Sequence, residues 1–182
     1  MQHVSHPKII ASAFIEATPA GSLGLAATNK GLCQLFFCSR LDYEATATGN
    51  PQAGEKASGI IQDARRQIAD YFDGKRREFD LPLDLTGQTP FRLKVLQACA
   101  GIPFGQVLTY GELAAKASSP KAARAVGGAM AHNPIALIIP CHRVVGSDRG
   151  LHGFSSPGGL ETKAILLRHE GVLVEKGRIT KG

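Results

Sequence analysis

Thr109-Tyr110-Gly111-Glu112-Leu113-Ala114, then Ser119-Pro120, then Lys121 to His132 ahead of Asn133-Pro134, is the stretch on which the fold turns. The hydroxyl of Thr109 and the carboxylate of Glu112, three residues on, make a capping box, so a short helix is expected to start there and run to about Ala117. Ser119-Pro120 reads as the cap of a second helix, Lys121 to about His132, which Asn133-Pro134 closes. Two short helices joined by a turn of about three or four residues outline a helix-turn-helix.

The second helix is built of small residues, among them Ala122, Ala123, Ala125, Gly127, Gly128, Ala129 and Ala131. An interior glycine costs a helix roughly 1 kcal/mol, so two of them need a reason. One is tight packing inside the protein. The other is close approach to DNA, with Lys121 and Arg124 supplying positive charge.

Working outward, Thr89 and Pro90 start another helix whose face Phe91, Val95, Ala98 and Cys99 is apolar and which Gly101 ends. On the other side, the apolar run Ile135-Ala136-Leu137-Ile138-Ile139 leads into Pro140-Cys141-His142-Arg143-Val144. A cysteine between a helix-starting proline and two nitrogen bases is expected to ionise below the ~8.5 of a free thiol and to be a nucleophile at neutral pH. The plainer reading makes Cys141 a small apolar residue ending a buried run.

The first half reads as a small α+β unit. Lys8 to Thr18, Ser22 to Thr28 and Leu32 to Cys38 predict two or three antiparallel strands, with Asn29-Lys30-Gly31 as a hairpin turn. Thr46 to Lys56 is a loop by composition. Ala57, Ile60, Ile61, Ala64, Ile68, Tyr71 and Phe72 then recur at helical spacing until Gly74, giving an amphipathic helix to pack on the sheet. Arg65, Arg66 and Lys75-Arg76-Arg77 read as a solvated face. Leu81 to Gly87 is the expected linker between the halves.

With 182 residues, 43% of them hydrophobic, the chain can bury one good core or two small ones. No apolar run approaches the ~20 residues of a membrane span, and Met1 to Phe14 lacks the pattern of a secretory signal, so a cytoplasmic location is expected. A net charge of +6 favours polyanionic partners. Four cysteines in such a chain argue against a disulfide framework. Cys33 and Cys38, five apart on one strand, should face opposite sides, so no metal is expected.

Tyr110-Gly111-Glu112-Leu113-Ala114, Ala123-Arg124-Ala125-Val126-Gly127, Asn133-Pro134, Pro140-Cys141-His142-Arg143-Val144 and Lys163 through Leu166-Leu167 to Glu170-Gly171 resemble, in order and spacing, the O6-alkylguanine-DNA alkyltransferases. The likeness is strong from Thr89 to Gly171 and weaker before it, where Tyr71-Phe72-Asp73-Gly74 and the hairpin are similar to the family's variable first domain. It implies a mixed α/β protein of the α+β kind. A ribonuclease H-like domain over 1–85 would be followed by a helical, DNA-binding and alkyl-accepting domain over 86–182.

The resemblance also implies the reaction: single-turnover transfer of an alkyl group from O6-alkylguanine in double-stranded DNA to the protein's own cysteine, with O4-alkylthymine as a further candidate substrate. Cys141 would be the acceptor, His142 its base through a water, Glu170 the partner orienting His142, and Asn133 the brace of the loop presenting Cys141. Tyr110 would stabilise the departing guanine and assist rotation of the phosphate. Arg124 would fill the stack left by the flipped base, with Tyr110, Lys121, Ala123 and Gly127 also on the DNA. Phe154, Ser155, Ser156 and Gly158 would wall the substrate pocket. The implied protein needs no cofactor, binds the minor groove and is a monomer in solution.

The residues themselves agree with this chemistry. Side chains of adjacent residues diverge, so a water between Cys141 and His142 suits the pair better than direct contact. Attack on an sp³ carbon needs no oxyanion hole, and a tyrosine hydroxyl can donate to the leaving oxygen. A carboxylate at Glu170, near a helix C-terminus, opposes the helix dipole and should have a compensating partner. The chain departs from the family at Leu96, where tryptophan is common, and at Phe154, where tyrosine often occurs, in a loop Gly153 to Gly159 that looks longer than usual. Other readings are a helix-turn-helix DNA-binding or lesion-recognition protein without alkyl transfer, and a cysteine hydrolase, which would regenerate its thiol.

Overall fold

The computed structural model describes residues 7–46 and 54–180. The expected loop at Thr46 to Lys56 therefore lies largely outside the described residues. The chain forms two compact units, Met1–Gln88 and Thr89–Gly182.

In the first unit β1 (Ala11–Ile15), β2 (Leu23–Ala27) and β3 (Leu32–Phe37) form an antiparallel sheet in that order. Leu23 of β2 lies opposite both Ile15 and Phe37, and the β2–β3 register shifts at Ala26/Ala27. A short helix α1 (Arg40–Thr46) follows, and α2 (Glu55–Phe72) lies against all three strands. The face of α2 buried on the sheet carries Ala57, Ile60, Ile61, Ala64, Ile68 and Tyr71 of the set the helical spacing predicts, with Gln67 among them, whereas Phe72 at the helix end is only half-buried. Burying each large member of it is worth about 1.5–3 kcal/mol.

Leu81 to Gly87 is not a free linker. Leu32 N–H donates to the Pro82 carbonyl at 2.8 Å and Asp84 N–H to the Leu32 carbonyl at 2.8 Å, so Leu83 makes a parallel bridge at the sheet edge. The buried Asp84 then accepts from the Thr28 hydroxyl at 2.7 Å. Gly31 serves this docking, because a β-carbon there would overlap the Pro82 carbonyl.

The second unit begins with α3 (Pro90–Ala100), whose cap Thr89 accepts from Arg92 N–H. Two residues of strand, β4 (Leu108–Thr109), lead into α4 (Tyr110–Lys116), with both bonds of the Thr109/Glu112 capping box formed. The next helix, α5 (Ala123–Ala131), starts two residues later than Lys121 and has no side-chain cap. Pro120 explains the delay. It favours the second position of a β-turn, and Ala122 N–H closes that turn on the Ser119 carbonyl. Lys121 thus sits exposed in the turn, not on the helix.

A single 3-10 turn, Cys141–Arg143, runs into β5 (Val144–Val145), which pairs in parallel with β4 through Leu108↔Val144 and Thr109↔Val145. The helix α6 (Gly159–His169) packs on this turn, and the hairpin β6 (Val174–Glu175) and β7 (Arg178–Ile179) closes the unit. Val145, Leu151, Ala164, Leu167 and Val174 form a buried cluster beneath it.

Candidate functional site

The two-residue pairing of β4 with β5 sets Tyr110, first residue of α4, beside the turn that carries Cys141. The two residues line one cavity of about 430 Å³, with Gly127, Met130 and Ala131 of α5 and with Gly153, Phe154 and Ser155. Cys141 is 8% exposed and lines this cavity. Asn133 braces the approach: its Nδ2 donates to the Ile139 carbonyl at 2.7 Å and its Oδ1 accepts from Ile135 N–H at 3.1 Å.

Burial holds the Cys141 thiol above its ordinary value, outweighing Asn133, Lys163 and the backbone N–H groups of Cys141 and His142, all of which favour the thiolate. The expectation of a resting thiolate is therefore corrected. The helix behind Pro140 is one turn of three residues, so it brings little dipole, and the pull of nearby cations does not offset desolvation. Tyr110 is likewise pushed up, first by burial and then by Cys141, and keeps its hydroxyl proton.

His142 and Glu170 are buried together. His142 Nε2 donates to Glu170 Oε1 at 3.0 Å. Burial is the main influence on His142 and lowers it, against Glu170, so the ring is neutral and the contact is a hydrogen bond rather than an ion pair. Its Nδ1 is buried without a partner. Glu170 caps the end of α6, and the compensation its position calls for is supplied by Arg143, which grips it at 2.9 Å (Nε to Oε2) and 2.7 Å (Nη2 to Oε1), and by Gly105 N–H at 3.1 Å. These bonds, from His142 first and Arg143 next, overcome burial and hold the Glu170 carboxyl far below the usual carboxylate range.

Arg143, expected from the sequence only to act on the neighbouring thiol, and Lys163, given no role there, also belong here. Arg143 also donates to the Ile102 carbonyl. Lys163 is fully buried, with its Nζ on the Val144 carbonyl at 2.6 Å and on the Leu151 carbonyl, and burial brings it down to about 8. Its signal was a lysine on the face of Leu166 and Leu167, three and four residues on.

Of the expected pocket residues, Phe154 and Ser155 line the cavity, and the Ser155 hydroxyl donates to the Ala131 carbonyl at 3.0 Å. Ser156 and Gly158 do not line it. Gly158 caps α6 under Thr162, whose hydroxyl occupies the space of a β-carbon. A second, open cavity of about 660 Å³ holds Tyr110, Ala123, exposed Arg124 and Gly127 together with Asp148 and His152. Inward packing does not demand the α5 glycines: a β-carbon on Gly127 would come no nearer than 4.0 Å to the Tyr110 ring, and one on Gly128 would meet open space. Cys33 donates its thiol to the Ala26 carbonyl, Cys99 is buried in α3, and no group of three metal-ligating side chains occurs among the described residues.

Fold and site together define a class, a two-unit α+β protein in which a helix-turn-helix borders a cavity floored by a cysteine, with an imidazole–carboxylate pair behind it. Residues 90–172 match the DNA binding domain, and residues 13–85 the ribonuclease-like domain, of 6-O-methylguanine DNA methyltransferase. The chain belongs to that family. A methylated-DNA–protein-cysteine methyltransferase of Salmonella typhimurium is 45% identical over 132 residues, 72% of this chain and 70% of the relative. The crystal structure of Mycobacterium tuberculosis O6-methylguanine methyltransferase is similar with a TM-score of 0.74 and 37% identity, over 90% of this chain and 93% of that one. The Mycobacterium tuberculosis OGT in complex with DNA gives 0.72 and 39%, over 87% and 91%.

Proposed function

We propose that the protein repairs DNA by direct reversal, taking the methyl group of O6-methylguanine onto Cys141 in one irreversible turnover. The observation that carries this reading is the buried His142, whose Nε2–H is committed to Glu170 while Nδ1 is left as a lone acceptor. A neutral imidazole so oriented accepts a proton, through one water, from a thiol that rests protonated. The thiolate then forms only as the reaction calls for it. Cys141 Sγ bonds to the methyl carbon, the carbon–O6 bond breaks, and guanine leaves with its electron pair, stabilised by a hydrogen bond from the protonated Tyr110 hydroxyl. The thioether has no leaving group for water to displace, so the protein is spent.

A base in a duplex must leave the stack to reach such a cavity, at a cost of a few kcal/mol. Support for minor-groove docking is the α5 surface, where Gly127 and Gly128 serve no inward packing and Arg124 stands exposed at the edge of the second cavity. Arg124 takes the place of the extruded base, and Ala123, Gly127 and Tyr110 lie along the strand. Lys121, in the turn before α5, contacts phosphate. Phe154 and Ser155 hold the guanine, whereas Ser156 and Gly158 act only through the backbone of the loop. A monomer suffices for all of this, and the cytoplasm is the proposed location.

The test is to follow the methylated base in an O6-methylguanine duplex. The parent protein should restore guanine, Cys141→Ser should bind the duplex without restoring it, and His142→Ala should restore it at least about a hundredfold more slowly, as loss of a general base does. Restoration by Cys141→Ser would refute the proposal.

A further inference from the structure

The chain from Val144 to Leu151 is tied down at both ends by Lys163, and Leu151 N–H also donates to the Gly177 carbonyl at 3.0 Å. His152 is the first residue past that anchor. It adopts φ +47°, a left-handed conformation that a histidine holds at some cost, and its Nε2 bonds Asp148 Oδ1 at 2.7 Å. Asp148 is itself fixed, accepting from Gly150 N–H at 3.0 Å and from Arg178 of the C-terminal hairpin. The pair lies flat over Gly146, where a β-carbon would overlap both the imidazole and the carboxylate.

Directly after His152 come Gly153, Phe154 and Ser155, which line the cavity of Cys141, and the Ser155 hydroxyl donates to the Ala131 carbonyl. Resting on the function proposed above, we infer that the Asp148–His152 pair is a latch that sets the width of the alkyl pocket. His152 is a positioning residue, and through it the wall Gly153–Ser155 is kept close enough to Cys141 to favour a small alkyl group. Both side chains are about half exposed, so the pair is weak enough for its loss to loosen the wall without unfolding the unit.

The test compares rates of Cys141 alkylation by duplexes carrying O6-methylguanine and O6-benzylguanine, read by intact mass. His152→Gly and His152→Asn both remove the imidazole, and both residues tolerate a left-handed backbone. Each should raise the benzyl-to-methyl rate ratio by about threefold to tenfold, because a wall displaced by a fraction of an ångström admits the larger group and positions the smaller one less well. Ser155→Ala, which frees the other end, should shift the ratio the same way. An unchanged ratio in both His152 variants, whatever Ser155→Ala does, or a shift in His152→Gly alone, which would trace to glycine's freedom and not to the lost pair, overturns the latch. Failure of the parent protein to gain mass from either duplex would overturn the proposed function and the latch together.

Discussion

Desolvation and proton transfer pull on Cys141 in opposite senses: its buried place keeps the thiol neutral, and in the proposed reaction it gives up its proton to His142 only as the methyl group is taken. That order depends on Glu170, which stays ionised because three neighbours donate to it. Its folded-state value lies below its ordinary 4.5, so it contributes stability that is present above about pH 4.5 and is lost as pH falls toward the folded value. In Glu170→Gln the buried Arg143 loses its counter-charge, and stability at pH 7 should fall by about 3–5 kcal/mol. Denaturant melts of parent and variant from pH 7 down to 3 check this. The two should converge toward acid, and a constant gap would mean that the carboxylate's charge is not what holds the site. At this scale the motif Pro140 to Val144 was readable as a cysteine next to an imidazole, and the fold does set Cys141 at the cavity and bury His142 against Glu170. The resting state of the thiol was not, because desolvation depends on how completely α3, α6 and the Ile135–Ile139 run enclose it. Arg143 was legible only as a base near the thiol, its actual partner Glu170 being 27 residues away.

Helix α5 carries a trade between its own stability and what approaches it. Gly127→Ala relieves a helix-interior glycine, and its new β-carbon meets only ordinary contact with Tyr110, so the protein should become more stable by up to about 1 kcal/mol. If the small surface exists for DNA, the same variant should bind duplex several-fold more weakly. Thermal melting and fluorescence anisotropy separate the two effects, and greater stability with unchanged affinity would return the glycines to helix packing. Elements with a strong local signal were legible: the capping box of α4, the Thr89-Pro90 start of α3, the periodic face of α2 and the hairpin. Those made by tertiary contact were not. Leu83 has no strand pattern, and its bridge exists because Leu32 offers an unpaired edge. The two-residue strands β4 and β5 are too short for any alternation to show, although they place Tyr110 at the cavity. Helix α1 did have a signal that the reading passed over, Ser39 and Asp42 bonding each other's backbone N–H in a reciprocal cap.

Across the whole molecule the division of labour follows from the chain's order. The first unit buries its sheet against α2, while the second brings Cys141, His142, Glu170 and the helix-turn-helix into one body. The net charge of +6 and the exposed Arg124 suit a polyanion, yet charge alone never distinguished a binder from a reagent. What distinguishes them is consumption of the protein. The direct measurement is a titration of the protein with a duplex containing one O6-methylguanine, with intact mass and peptide mapping at each point. One methylene should be gained per chain, wholly on Cys141, with repair stopping when the duplex reaches one equivalent. Repair continuing over many equivalents, or the added mass residing on Cys33, Cys38 or Cys99, would contradict the account.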